Sequence, residues 1–113
     1  MADYITIAPV PGTWVVRAGG AVLAETIGAL ELKEGDYPPV IYFPRDDIAM
    51  AFLEKTDKTT VCPHKGTASY YAIHAKSGII EEAGWSYEDP KPEVEAIREY
   101  LAFYPNKVTV EQL

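Results

Sequence analysis

Cys62 is the only cysteine among the 113 residues, so no internal disulfide can form and no pair of cysteines is available to hold a metal. Basic residues are also scarce, ten against seventeen acidic ones for a net charge of -7. They lie scattered from Arg17 to Lys107 without forming a run. Binding to nucleic acid is therefore not expected, because backbone affinity comes from clustered Lys and Arg displacing counterions. An anionic membrane surface is disfavoured for the same reason, and no apolar run approaches the roughly 18 residues of a membrane span. The opening residues M-A-D-Y-I-T lack a basic segment followed by an apolar one, so no secretory leader is expected. The compartment these absences suggest is the reducing cytoplasm.

What is present is the composition of a globular protein: 48% hydrophobic, 12% aromatic and 24% charged. At this length one domain spanning residues 1–113 is expected, since two halves would each bury too little surface. W-V-V-R-A and A-V-L-A-E-T flank Gly19-Gly20 and read as a hairpin. Strict alternation would set Trp14, Val16 and Ala18 on one face with Leu23, and Val15, Arg17, Val22 and Ala24 on the other. Further strands are expected at Ala29 to Lys33, Val40 to Phe43, Thr59 to Cys62, Gly66 to Ala75 and Ile79 to Trp85, with a last edge strand at Lys107 to Glu111. Pro44 and the acids after it suggest a single helical turn over Arg45 to Ile48, followed by Met50, Ala51, Phe52 and Leu53 as a short apolar patch that joins the core. Glu54 to Lys58 reads as a polar loop. Glu81 and Glu82 are adjacent in a strand, which would put one carboxylate on each face. Asp89-Pro90 looks like the start of one C-terminal helix, with Val94, Ile97 and Leu101 at helical spacing and Glu95 in reach of Arg98. The expectation is a mainly β fold of about six or seven strands and one C-terminal helix.

The chemistry is concentrated in Val61 to Tyr71, V-C-P-H-K-G-T-A-S-Y-Y. Cys62 and His64 are the candidates for catalysis. A thiolate near Lys65 would be reactive, but no resolving thiol accompanies Cys62 and no base-and-orienter series accompanies His64. Zinc is not expected, because Cys62 and His64 supply too few ligands, and no other cofactor is implied. Asp46-Asp47 and Glu88-Asp89 are adjacent pairs whose side chains diverge, unsuited to gripping paired magnesium ions. Tyr42, Tyr70, Trp85 and Tyr87, with Arg45, His64 and Lys65 as the polar groups, form the candidate ligand-binding set. Aromatic walls and a few fixed charges suit a small planar or anionic ligand. The alternative is a peptide or protein interaction module without catalysis. Nothing in the pattern sets an oligomeric state.

Four ordered stretches stand together: Y-F-P-R-D-D-I at Tyr42 to Ile48, C-P-H-K-G-T-A-S-Y-Y at Cys62 to Tyr71, W-S-Y-E-D-P at Trp85 to Pro90, and A-F-Y-P at Ala102 to Pro105. In these the chain closely resembles a mostly bacterial family, domain of unknown function 427, also labelled nucleotidyltransferase-like. The resemblance covers roughly Trp14 to Val108 and implies a β-tent fold of antiparallel sheets. That architecture is similar to methionine sulfoxide reductase B and to the thalidomide-binding domain of cereblon, here without their zinc site. It implies no established activity.

Overall fold

The Gly19-Gly20 turn forms with φ of 55° and 84°, values that only glycine takes without strain, in a computed structural model that describes residues 4–113. The leader reading falls partly on residues 1–3, outside the described residues. The turn joins β2 (Trp14–Ala18) to β3 (Ala21–Thr26), and β10 (Thr109–Gln112) pairs with the other edge of β2 as the expected last strand. A second sheet orders β1 (Ile5–Pro9), β4 (Leu30–Glu34) and β5 (Val40–Tyr42) side by side. A third runs β6 (Leu53–Cys62), β7 (Gly66–Ala75), β8 (Gly78–Ser86) and β9 (Leu101–Phe103). All pairings are antiparallel, and the fold is mainly β. A bridge between Phe43, at the end of β5, and Leu101 ties the second sheet to the third, and one between Ala24 and Ile48 ties β3 to the segment that follows β5. No helix among the described residues is long and apolar enough to cross a membrane.

Three irregularities correct the simple strand patterns. In the first hairpin Val16 pairs with Ala24 and Arg17 with Val22, so Leu23 is an extra residue that resets the alternation. Val16, Leu23 and Ala24 consequently share one core cluster, and Ala24 is not on the opposite face from Val16. The segment Glu54 to Lys58 is no loop: β6 runs through it, with Lys55 opposite Tyr71 and Thr59 opposite Ser69, and Thr56 to Lys58 bulging between them. The long apolar strand β7 imposes that pairing despite the polar sequence. In β8, Ile80 faces Ile73 and Gly84 faces Tyr71, so Glu81 to Ala83 also bulge. Glu82 takes φ 47° there. Both carboxylates are exposed, and Glu82 meets Lys58 at 2.9 Å.

The C-terminal helix is present only as 3-10 turns over Pro92–Ile97, with Val94 at φ −123°. Pro92 forces Lys91 into an extended conformation, so the helix cannot start at Asp89. Leu101 is taken by strand pairing with Ser86 and Phe43, and this shortens the segment from its other end. Val94 and Ile97 are nonetheless fully buried, and Arg98 grips Glu95 at 2.5 Å. The Arg45–Asp47 turn is also 3-10. Phe52, expected in the core, is 56% exposed. β1 is an additional strand, in a segment whose short Ile5-Thr6-Ile7 alternation is cut off by Pro9 and Pro11.

Buried side chains form two clusters, one around Val16, Phe43, Tyr71, Ile73 and Leu101, the other around Leu32, Tyr42, Tyr70, Val94 and Ala102. The sheet separates them. Neighbours in sequence such as Tyr42 and Phe43, or Tyr70 and Tyr71, point to opposite sides because successive strand residues alternate.

Candidate functional site

Ser69 and Tyr71 share one face of β7, and Ser86 sits beside them because it pairs with Ser69 across the ladder. Glu88 follows β8 two residues later, Lys55 reaches in from β6 opposite Tyr71, and Arg45 arrives from the 3-10 turn that Pro44 begins. These side chains converge on the Glu88 carboxylate. Its Oε1 accepts hydrogen bonds from Lys55 Nζ at 2.6 Å and Ser69 Oγ at 3.4 Å. Its Oε2 accepts from the Tyr71 hydroxyl at 2.5 Å and Arg45 Nη2 at 3.3 Å. Arg45 also donates to the Tyr71 hydroxyl at 3.1 Å, to Ser86 Oγ at 3.2 Å and, through Nε, to the Glu99 carbonyl at 2.9 Å. Glu99 stands at φ 64°, left-handed for a residue other than glycine, and its N–H is held by the Tyr87 carbonyl.

Arg45 and Glu88 are each 26% exposed, so the cluster is partly desolvated, and solvent reaches it at the more exposed Lys55. Burial by itself would raise the Glu88 carboxyl. The hydrogen bonds from Lys55 and Tyr71 and the charges of Lys55 and Arg45 outweigh it and hold Glu88 below the ordinary carboxylate range. Burial and the bond to Glu88 raise the Tyr71 hydroxyl, so it remains a protonated donor. A carboxyl lowered in the folded state stabilises the protein above its ordinary value of 4.5, and that contribution is lost as pH falls through the folded value. Glu88→Gln is therefore expected to lower the melting temperature at neutral pH and to flatten its decline below pH 4.5. Some decline persists, because Glu34 and Glu82 are lowered too. Parallel acid limbs for the two proteins in a series of thermal melts would contradict this reading.

The sequence-derived site residues divide between the two faces. Tyr42, Tyr70, Trp85 and Tyr87 come together in the second core cluster, where Trp85 Nε1 donates to the Tyr42 hydroxyl at 3.2 Å and the Tyr70 hydroxyl meets Thr60 Oγ1 at 2.9 Å. Tyr42, Tyr70 and Tyr87 are buried in that packing, which leaves their rings as core. Lys65 ion-pairs with Glu34 at 2.5 Å, and both side chains are mostly covered. His64 meets the ring of Tyr4 edge-on at 5.3 Å, and Cys62 is half-buried against the aromatic cluster. Arg45 is on the other side of the sheet and joins none of them, because Tyr42 and Phe43 diverge before it. Sequence reasoning missed Lys55, Ser69, Tyr71, Ser86 and Glu88. Four of these lie inside the quoted stretches at two-residue spacing, Ser69 with Tyr71 and Ser86 with Glu88, a signal that strand alternation makes readable. Lys55 carried no such signal in a segment that reads as a loop.

Among the described residues no three His, Cys, Asp or Glu side chains gather as metal ligands, so the donor set does not fit the zinc site of tent folds. Asp47 accepts a hydrogen bond from Thr26 Oγ1 at 2.7 Å, and Asp89, 95% exposed, pairs with Arg98. Neither acid joins Glu88 in a shared grip, which nucleotidyl transfer through paired metals would need. Compared with known proteins, residues 6–112 match a family model described as a domain of unknown function, DUF427, and carrying the label NTP_transf_9. No curated protein matches the chain.

Proposed function

The chain belongs to the family of domain of unknown function 427, and from that premise we propose that it binds a small anionic ligand at the cluster of Arg45, Lys55, Ser69 and Glu88. The observation that carries the reading is a surplus of donors. Both oxygens of Glu88 already accept two hydrogen bonds each, so its lone pairs are used. Lys55, 53% exposed, spends only one of its N–H groups on Glu88, and Arg45 has an N–H to spare. A ligand approaching on the exposed side at Lys55 meets these spare donors, with the exposed Glu99 carboxylate 3.9 Å from Arg45 Nε at the rim, and donors select a carboxylate or phosphate. Glu88 would act by holding the two cations and the Tyr71 hydroxyl in place before the ligand arrives, which lowers the cost of binding. The planar part of the sequence expectation draws no support from this side of the sheet, because the aromatic rings pack on the other. Cytoplasmic location is proposed with it, on the strength of the lone Cys62.

The test is a thermal-shift screen of the purified protein against carboxylates, phosphate esters and nucleotides. At least one of these anions is expected to raise the melting temperature, and Lys55→Ala is expected to abolish the rise. Lys65→Ala, altering the opposite face, should keep the ligand response while lowering the starting stability by about 1–3 kcal/mol through the unpaired Glu34. A screen without any stabilising anion, or an unchanged response in Lys55→Ala, would remove the proposal. The interaction-module reading has its own support in exposed Val22 and Phe52 beside an apolar groove.

A further inference from the structure

That groove shares no lining residue with the Glu88 cluster. Gly19, Gly20, Val22, Leu23, Phe52 and Ile73 contribute to its lining, and it encloses about 390 Å³, a volume in the range of small-molecule sites. Its shape follows from two hairpin tips that face each other. A Cβ on Gly19 would stand 3.1 Å from the Ala75 Cβ and 3.4 Å from Ser77 Oγ, so glycine lets the tips close one end. A Cβ on Gly20 would meet nothing within 4 Å, so the space beside that residue is open. Leu23 and Ile73 are buried in the floor, while Val22 and Phe52 stand 52% and 56% exposed in the walls. Apolar walls left in water are surface that an apolar ligand would cover.

The charge of the lining identifies the other end of such a ligand. In a protein of net charge -7 with seventeen acidic residues, no acid lines this groove, and its ionisable members are His74 and Lys76. His74 is engaged by Glu54 at 2.8 Å. Lys76, in the β7–β8 turn, has no ion-pair partner among the described residues. We propose that the groove binds a small amphipathic carboxylate, its apolar body between Val22, Phe52 and Ile73 and its head at Lys76. Neither Arg45 nor Lys55 takes part, so this site stands or falls independently of the one around Glu88.

Octanoate and octyltrimethylammonium, which share a tail and differ in charge, are the probes, titrated into the full chain with amide NMR shifts as readout. Octanoate is expected to move the resonances of Gly19, Gly20, Ile73 and Ala75, and to bind more tightly than the cation. Lys76→Glu should weaken octanoate about fivefold and favour the cation instead, the size expected of one exposed charge. Phe52→Ala, which removes a half-exposed wall and leaves the core intact, should weaken both probes alike. Lys55→Ala should change neither. Equal affinity for the two head groups, or an octanoate affinity indifferent to both Lys76→Glu and Phe52→Ala, would overturn the assignment. Shifts confined to the neighbourhood of Ser69 and Glu88 would also overturn it, while supporting the first site.

Discussion

Phe43→Ala is expected to remove about 3–5 kcal/mol of folding stability, the usual cost of emptying a fully buried phenylalanine site. Phe43 is inaccessible to solvent, and its ring meets that of Phe103 edge-on at 6.1 Å. Its backbone N–H and C=O bond Leu101 at 2.8 and 3.0 Å and would survive the substitution, so the loss reports the side chain. Tyr42→Phe, one residue earlier, leaves the ring in the opposite cluster and removes only the acceptor for Trp85 Nε1, which should cost about 1 kcal/mol. Denaturant unfolding of both variants measures the contrast as a shift in midpoint at unchanged slope. Similar small losses in the two would mean that Phe43 does not tie the β5 end of one sheet to the core of another.

Arg45→Ala is the second large effect, expected at about 2–3 kcal/mol because it strips charge-assisted bonds from Tyr71, Glu88 and the Glu99 carbonyl at once. Ser86, fully buried, loses its donor as well. Arg45→Lys should recover little, since an ammonium cannot reach Ser86, Tyr71, Glu88 and the Glu99 carbonyl in the fork that guanidinium spans. A cycle with Glu88→Gln separates the ion pair from the rest: coupling should account for part of the loss and leave a remainder from Ser86 and Glu99. Full recovery of stability in Arg45→Lys would show that charge alone, not the fork, holds the cluster. Under the proposed function neither variant responds to anions.

Much of the chain is legible from local chemistry. Gly19-Gly20 demanded a hairpin because few other residue pairs tolerate both φ values, and Gly66 to Ala75 and the Lys76-Ser77-Gly78 turn follow from alternation and turn composition. The helix expected after Asp89 had good local credentials in its spacing. It yielded to Pro92 on one side and to the pairing of Leu101 on the other. Helical spacing reports what a segment could bury, and here a sheet edge offered Leu101 a better partner.

The site was harder to read, for a reason that Tyr70 and Tyr71 make plain. Two adjacent tyrosines in one motif look like one feature, yet one enters the aromatic core and the other donates to Glu88. The same split carries Arg45 away from Tyr42 and gathers Ser86 and Glu88 away from Trp85 and Tyr87. Motif stretches thus group residues without recording which side of a strand each one serves.

The sequence by itself determined the mainly β class, most of the turns, the family and the stretches in which most of the candidate site lies, because these depend on backbone preference and alternation over a few residues. Only the tertiary structure decided that Lys55 belongs to a strand, that bulges at Thr56 to Lys58 and Glu81 to Ala83 reset the register on either side of β7, and that Arg45 meets Tyr71 rather than Tyr70. Register is a property of pairs of strands: one extra residue, as at Leu23, moves the side chains after it to the other face, whereas the two extra residues in each bulge beside β7 slide the pairing and keep the facing.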